Sequence, residues 1–169
     1  TQVESKKEMR QAMIFLQKYG ISTALAAKIY NYYGMEIYRV LEENPYRLAD
    51  EIDGIGFRTA DAIAAKAGIR VDSEFRIQSG IIYSLLQAGL EGHVYLPEEE
   101  LLQRTSGLLG VEVDGIVDHL QNLSIDHKII VKIKGEERRI YSSIYYYLEL
   151  NTAKMLHDLS VPYEIDEII

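Results

Sequence analysis

Gly54-Ile55-Gly56-Phe57-Arg58-Thr59 is the stretch of this 169-residue chain best suited to chemistry with an anion. Glycine reaches positive φ and lets another backbone come close, so Gly54 and Gly56 permit a tight reversal. Ile55 can point back between the flanking segments as an anchor. From Phe57 to Ala64 the chain reads as a helix, and the first N–H groups of a helix have no partner inside it. Those donors, together with the helix dipole, suit one phosphate group. Arg58 adds a charged donor and Thr59 a hydroxyl. Ala60, four residues beyond Gly56, is small enough for two helices to cross at short range. The competing reading is a compact helix–helix turn with no ligand. The matching Ala60, Ile63 and Gly68 favour the phosphate-binding form.

The pattern occurs twice. With an offset of 34 residues, Gly20 falls on Gly54, Ile21 on Ile55, Ala26 on Ala60, Ile29 on Ile63 and Gly34 on Gly68. A tetratricopeptide array shares that period but needs about three copies, and its identities would spread over a helix pair. Here two copies exist and the identities cluster at a turn. The second copy, Leu48 to Ala64, closely resembles the helix-hairpin-helix motif of DNA-binding proteins. In the first copy, Gly20-Ile21-Ser22-Thr23, Ser22 stands where the motif has its second glycine and is suited instead to cap the following helix. Lys28 can reach a phosphate from the helix face. Two readings of this copy stay open, a second DNA contact and a degenerate copy packed against a working one.

The elements around the turns are mostly helical. Ile77, Ile81, Leu85 and Ala88 follow helical spacing, as do Val113, Ile116, Val117 and Leu120, and Leu148, Thr152, Met155, Leu156 and Leu159. Pro97 before Glu98-Glu99-Glu100 predicts a helix start, with proline at the first helical position. Ile129–Ile133 and Arg139–Ile144 predict a β-hairpin about the turn Lys134-Gly135-Glu136-Glu137, and Val94-Tyr95-Leu96 a short strand able to pair with it. The fold expected is mainly α: a tandem helix-hairpin-helix domain over 1–72, then over 73–160 a winged-helix-like α+β unit with a small β-hairpin. Residues 161–169 are expected to begin a linker.

The formal net charge of −8 argues against a broad basic face, so any DNA contact must be local. In the winged-helix-like unit the third helix carries Asp114 and Asp118, with Asp126 just beyond, which would repel phosphates. A basic wing is available through Lys128, Lys132, Lys134, Arg138 and Arg139, and a scaffold or partner-docking role is favoured over base readout. Tyr30, Tyr32, Tyr33, Tyr38 and Tyr46 cluster near the turns, where tyrosines stack on unpaired bases or fill cores; Tyr32 is assigned to the core, and Tyr145-Tyr146-Tyr147 to packing. The four histidines, His93, His119, His127 and His157, lack metal-ligand spacing. The absence of cysteine fits an intracellular, cytoplasmic setting, and no apolar run is long enough for a membrane span. A polar start without an initiator Met and an abrupt end read as a piece of something longer.

The run Tyr33 to Ile69, with Asn44-Pro45-Tyr46, Leu48-Ala49 and Ile52-Asp53-Gly54-Ile55-Gly56-Phe57, followed by Gly92-His93, Leu96-Pro97 and Leu101, resembles the region upstream of the motor in RecD-like ATP-dependent DNA helicases, also called exodeoxyribonuclease V alpha chains. The helix around Leu148 to Leu159 fits the same stretch. The resemblance implies a 5′→3′ superfamily 1 motor beyond Ile169, using ATP and magnesium, and a parent enzyme that acts with other subunits. It makes the present chain a DNA-binding accessory region with no cofactor or catalytic centre of its own. Gly54 to Thr59, Gly20 to Thr23 and Lys28 are the expected DNA-backbone contacts. Two alternatives remain, a helix-hairpin-helix module from another DNA repair or recombination protein and a protein-interaction domain.

No Gly-rich loop ending in Lys-Ser or Lys-Thr occurs in the chain. The 169-residue chain is therefore expected neither to bind nor to hydrolyse ATP. Calorimetric titration with nucleotide and a phosphate-release assay with DNA check this, and stoichiometric binding with turnover would relocate the chemistry.

Overall fold

The computed structural model describes residues 1–168, and side-chain environments through 159. The chain is mainly helical with one small antiparallel sheet, and it divides into two compact units, Thr1–Ser79 and Gly80–Ile169. This division falls a few residues beyond the position 72 expected from sequence, inside a continuous helix.

The first unit contains α1 (Gln2–Gln17), α2 (Thr23–Tyr33), a single 3-10 turn (Gly34–Glu36), α3 (Ile37–Glu43), α4 (Arg47–Glu51), α5 (Phe57–Lys66) and the start of α6 (Glu74–Leu90). The repeat read from the sequence is a repeat of structural roles. Ile21 and Ile55 are both buried at the turns, Ala26 and Ala60 are fully buried, and Ile29 and Ile63 follow one turn later. Gly20 and Gly54 take φ of +79° and +95°, and Gly34 and Gly68 take +59° and +85°. Glycine is required at these four positions because a Cβ disfavours left-handed backbone. α5 shows why its face is apolar: Phe57, Ala60, Ile63 and Ala64 lie one helical turn apart and all are buried.

Asn44-Pro45-Tyr46 forms the corner that feeds the second hairpin. The Asn44 side chain accepts the Tyr46 N–H at 3.2 Å, so the turn closes on itself. Tyr46 is 2% exposed, its ring stacks 5.8 Å from that of Phe57, and its hydroxyl donates to Asp61 Oδ1 at 2.5 Å. Arg76 at the start of α6 donates to both oxygens of the same carboxylate, at 2.9 and 3.3 Å, and to the Val71 carbonyl at 2.8 Å. Tyr33 makes the matching contact to Glu51, with the Arg47 guanidinium 5.5 Å above its ring. Tyr32, assigned to the core from sequence, is instead 58% exposed, and its neighbour Tyr33 takes the buried position. One residue is 100° of helical phase, enough to exchange the two faces.

The second unit runs through the rest of α6, β1 (Tyr95–Pro97), α7 (Glu98–Leu109), α8 (Asp114–Ile125), β2 (Ile129–Lys134), β3 (Glu137–Ser142) and α9 (Ser143–Ile168). The sheet order is β1-β3-β2, antiparallel throughout, with Leu96 opposite Ile140 and Val131 opposite Ile140. Leu96, Ile140, Ile129 and Ser142 form its buried face, beside Leu101, Ile116, Leu120 and Leu123 of α7 and α8. Four expectations shift. The turn is the two-residue Gly135-Glu136, with Gly135 at φ +65°, and Ser143-Ile144 begin α9 instead of ending the strand. Pro97 sits at the N-cap with ψ 144°, one position before the helix, where it also closes β1. The backbone of α9 is helical through Ile168, over most of the expected linker, and Ile169 lies outside the described residues.

Burial, and then the neighbouring carboxylate, raises the hydroxyl pKa of both Tyr33 (beside Glu51) and Tyr46 (beside Asp61) well above the ordinary tyrosine value. The folded state holds these protons more tightly than the unfolded chain, so their contribution is complete below about pH 10 and is lost as the pH rises above it. Ultraviolet titration should find two tyrosines that ionise only as the chain unfolds. Tyr46→Phe should cost roughly 1–2 kcal/mol in urea unfolding at neutral pH and leave a smaller alkaline loss. Unchanged stability in that variant would remove the corner from the account of this unit.

Candidate nucleic-acid interface

Each turn in the first unit delivers the chain into a helix in the same way. After the left-handed glycine comes a buried isoleucine, then an extended residue at the N-cap. That residue is Ser22 in the first copy (φ −64°, ψ 158°) and Gly56 in the second (φ −94°, ψ 178°). The chemistry of the two N-caps differs. Ser22 Oγ accepts the Leu25 N–H at 3.3 Å, so the first turn of α2 is partly closed by its own cap. Gly56 has no side chain and provides no cap to α5.

The positive φ considered for Gly56 from sequence belongs to Gly54. Gly56 is in ordinary extended backbone, and a Cβ built there would meet nothing within 4 Å. Nothing inside the unit requires glycine at this position. Its effect is to leave the backbone at the head of α5 open to close approach by another molecule.

The other expected contact residues divide by depth. Ile21, Ile55 and Phe57 are core side chains, each about 5% exposed, so only their backbone can face a ligand. Ser22, Thr23, Gly54, Gly56, Arg58 and Thr59 are exposed. Thr23 Oγ1 accepts from the Gln17 side chain at 3.0 Å. Lys28 extends from α2 to the other turn, where its Nζ donates to the Asp53 carbonyl at 2.7 Å. Sequence reading missed that destination, because it depends on how the two copies face each other.

Charge is unevenly divided. Residues 1–79 carry 11 Lys and Arg and 11 Asp and Glu, and residues 80–169 carry 7 and 15. The whole net charge of −8 therefore belongs to the second unit, and the unit holding the turns is neutral. In the second unit two of the expected wing cations are already paired, Arg138 with Glu98 at 2.9 Å and Arg139 with Glu137 at 3.0 Å. Arg139 also lies 4.5 Å over the Tyr95 ring, beside a cleft of about 430 Å³ that His93 and Tyr141 share. The Gly92-His93 signature closes α6: Gly92 takes φ +99° and the His93 N–H returns to the Ala88 carbonyl at 2.8 Å. Among the described residues no helix is long and apolar enough to cross a membrane, and no group of three acidic or histidine side chains could hold a metal ion.

An ATP-dependent RecD2 DNA helicase of Deinococcus radiodurans is 32% identical to this chain over 89 residues. That stretch is 52% of the present chain and 12% of the relative, so the chain spans only a small part of the relative's length. Residues 5–95 match the family described as the ATP-dependent RecD2 DNA helicase HHH domain, which takes in both turns, the Asn-Pro-Tyr corner and the Gly-His helix end. With more than half of its length inside that match, the chain belongs to the RecD2 helicase HHH-domain family.

Proposed function

We propose that this chain is a non-catalytic DNA-binding region of a RecD-like ATP-dependent helicase, and that it holds the DNA backbone through the amides of its hairpin turns. α1–α2 and α4–α5 act as tandem helix-hairpin-helix elements, with the second as the main contact. The observation that carries this reading is the open head of α5, where Gly56 is a glycine that neither backbone strain nor packing requires. Backbone amides at a helix start suit one phosphate, and they position without reading sequence. Arg58 and Thr59 stand exposed on the same first turn. The parent, by this reading, is a cytoplasmic 5′→3′ DNA helicase whose ATP and magnesium belong to a motor C-terminal to Ile169.

We infer that the second unit, ordered helix, strand, two helices and hairpin, is winged-helix-like and that its role is to dock the motor or another subunit. The paired wing arginines and the carboxylates Asp114 and Asp118 on α8 support docking over base readout. So does α9, where Leu148, Met155, Leu156 and Leu159 are exposed.

Fluorescence anisotropy across a salt series should find weak, sequence-independent DNA binding with a log–log slope of roughly −1 to −4, since each hairpin holds about one or two phosphates. A slope near −8, or preference for one sequence, would indicate a basic groove or base readout instead.

The two glycines of the second turn should separate folding from binding. Gly54→Val places a β-branched side chain at φ +95° and should destabilise the unit by about 1–3 kcal/mol. Gly56→Val meets no such strain, so it should keep its circular dichroism and melting profile while losing about tenfold in affinity, or about 1.4 kcal/mol. Arg58→Ala should weaken binding less, and Ser22→Ala less again. If Gly56→Val and Arg58→Ala stay folded and bind like the parent chain, the turn is only structural and a protein-interaction role takes precedence.

A further inference from the structure

The residue before each turn glycine is Tyr19 in the first copy and Asp53 in the second, 34 positions apart and therefore equivalent. Each presents its backbone carbonyl to a lysine from the opposite copy. Lys28 of α2 donates to the Asp53 carbonyl at 2.7 Å, and Lys66 at the end of α5 approaches the Tyr19 carbonyl at 3.5 Å. The donors are not equivalent by the repeat. Ala62 stands where the second copy would have its Lys28, and Tyr32 where the first would have its Lys66. Two unrelated positions thus converge on one pair of related acceptors, which duplication alone does not produce.

We propose that Lys28 and Lys66 are positioning residues that tie each hairpin's turn to the second helix of the other hairpin. The two turns then meet the DNA backbone as one unit of fixed spacing, with an ammonium beside each. The inference rests on the DNA-backbone reading above and adds what sets the spacing and charge of that site. Both contacts are exposed to solvent, and interactions of exposed charges contribute little to global stability. Their effect is local. A carbonyl that accepts from an ammonium is polarised together with its peptide, so the contact is written into the amides of Gly54 and Gly20. Lys66 Nζ also lies 2.9 Å from where a Cβ on Gly20 would be, so the ammonium sits directly against this turn. The 2.7 Å contact is a well-formed charge-assisted bond and the 3.5 Å one is long, so the Lys28 arm is the stronger of the two.

The test uses Lys28→Gln, Lys66→Gln and the corresponding arginine variants of the 169-residue chain, with short fluorescent duplex and single-stranded DNA of mixed sequence. Lys28→Gln should shift the Gly54 amide resonance and Lys66→Gln that of Gly20, with Gly135 in the β-hairpin of the second unit as the unmoved control. Melting temperatures should hold. The salt slope should shrink by about 0.9 per lysine on duplex or about 0.7 on single strand, and Arg at either position should restore it. The loss should be greater at Lys28. If the parent chain binds DNA and both glutamine variants match it in affinity and slope, or if neither amide moves, the tie is overturned. A parent chain that binds no DNA overturns the positioning role together with the reading it rests on, and the amide shifts then report only a structural contact.

Discussion

Left-handed backbone at Gly20 and Gly54 is what the first unit is built around. At φ near +80 to +95° the chain reverses within one residue, the following isoleucine is turned into the core, and the residue after it enters the next helix in extended conformation. A Cβ at either glycine would oppose that reversal. Once the turn is set, Ala26 and Ala60 must be small and Ile29 and Ile63 must fall on the buried face, because the second helix leaves each turn at a fixed phase. The Asn44-Pro45-Tyr46 corner serves the same end by holding α4 where it can enter the second reversal.

Acidity and the proposed DNA binding are compatible because the charge is segregated. The neutral first unit offers backbone dipoles, and a dipole cluster at a helix start needs no net charge to hold a phosphate. The second unit holds the surplus carboxylates, and its arginines are engaged with them or with tyrosine rings. A single net charge for the chain would conceal this division.

Much of this was legible in the sequence. The Gly-Ile-Gly turn, the 34-residue repeat, the long helices and the β-hairpin all announce themselves through local chemistry and periodicity, which act over a few residues. What was not legible depends on phase or on contact across the repeat. Tyr32 and Tyr33 are chemically identical, and only the rotation of α2 decides that the second is buried. Gly54 and Gly56 look alike as letters, but one answers a conformational demand and the other leaves a surface open. The destinations of Lys28 and Lys66 lie in the other copy, 25 and 47 residues away along the chain, where no local pattern points.

The sheet order β1-β3-β2 carries a consequence for how the chain acquires its structure. β2 and β3 are joined by a two-residue turn and can pair early, but β1 must wait until α7 and α8 have closed the long excursion back to β3. Closing such a loop costs entropy before its contacts repay it, and pairings distant in sequence slow folding. Each hairpin of the first unit, by contrast, is assembled from neighbouring residues. As the chain leaves the ribosome, both turns can form before β3 is made, and until β3 arrives β1 and β2 alike lack the strand they pair with.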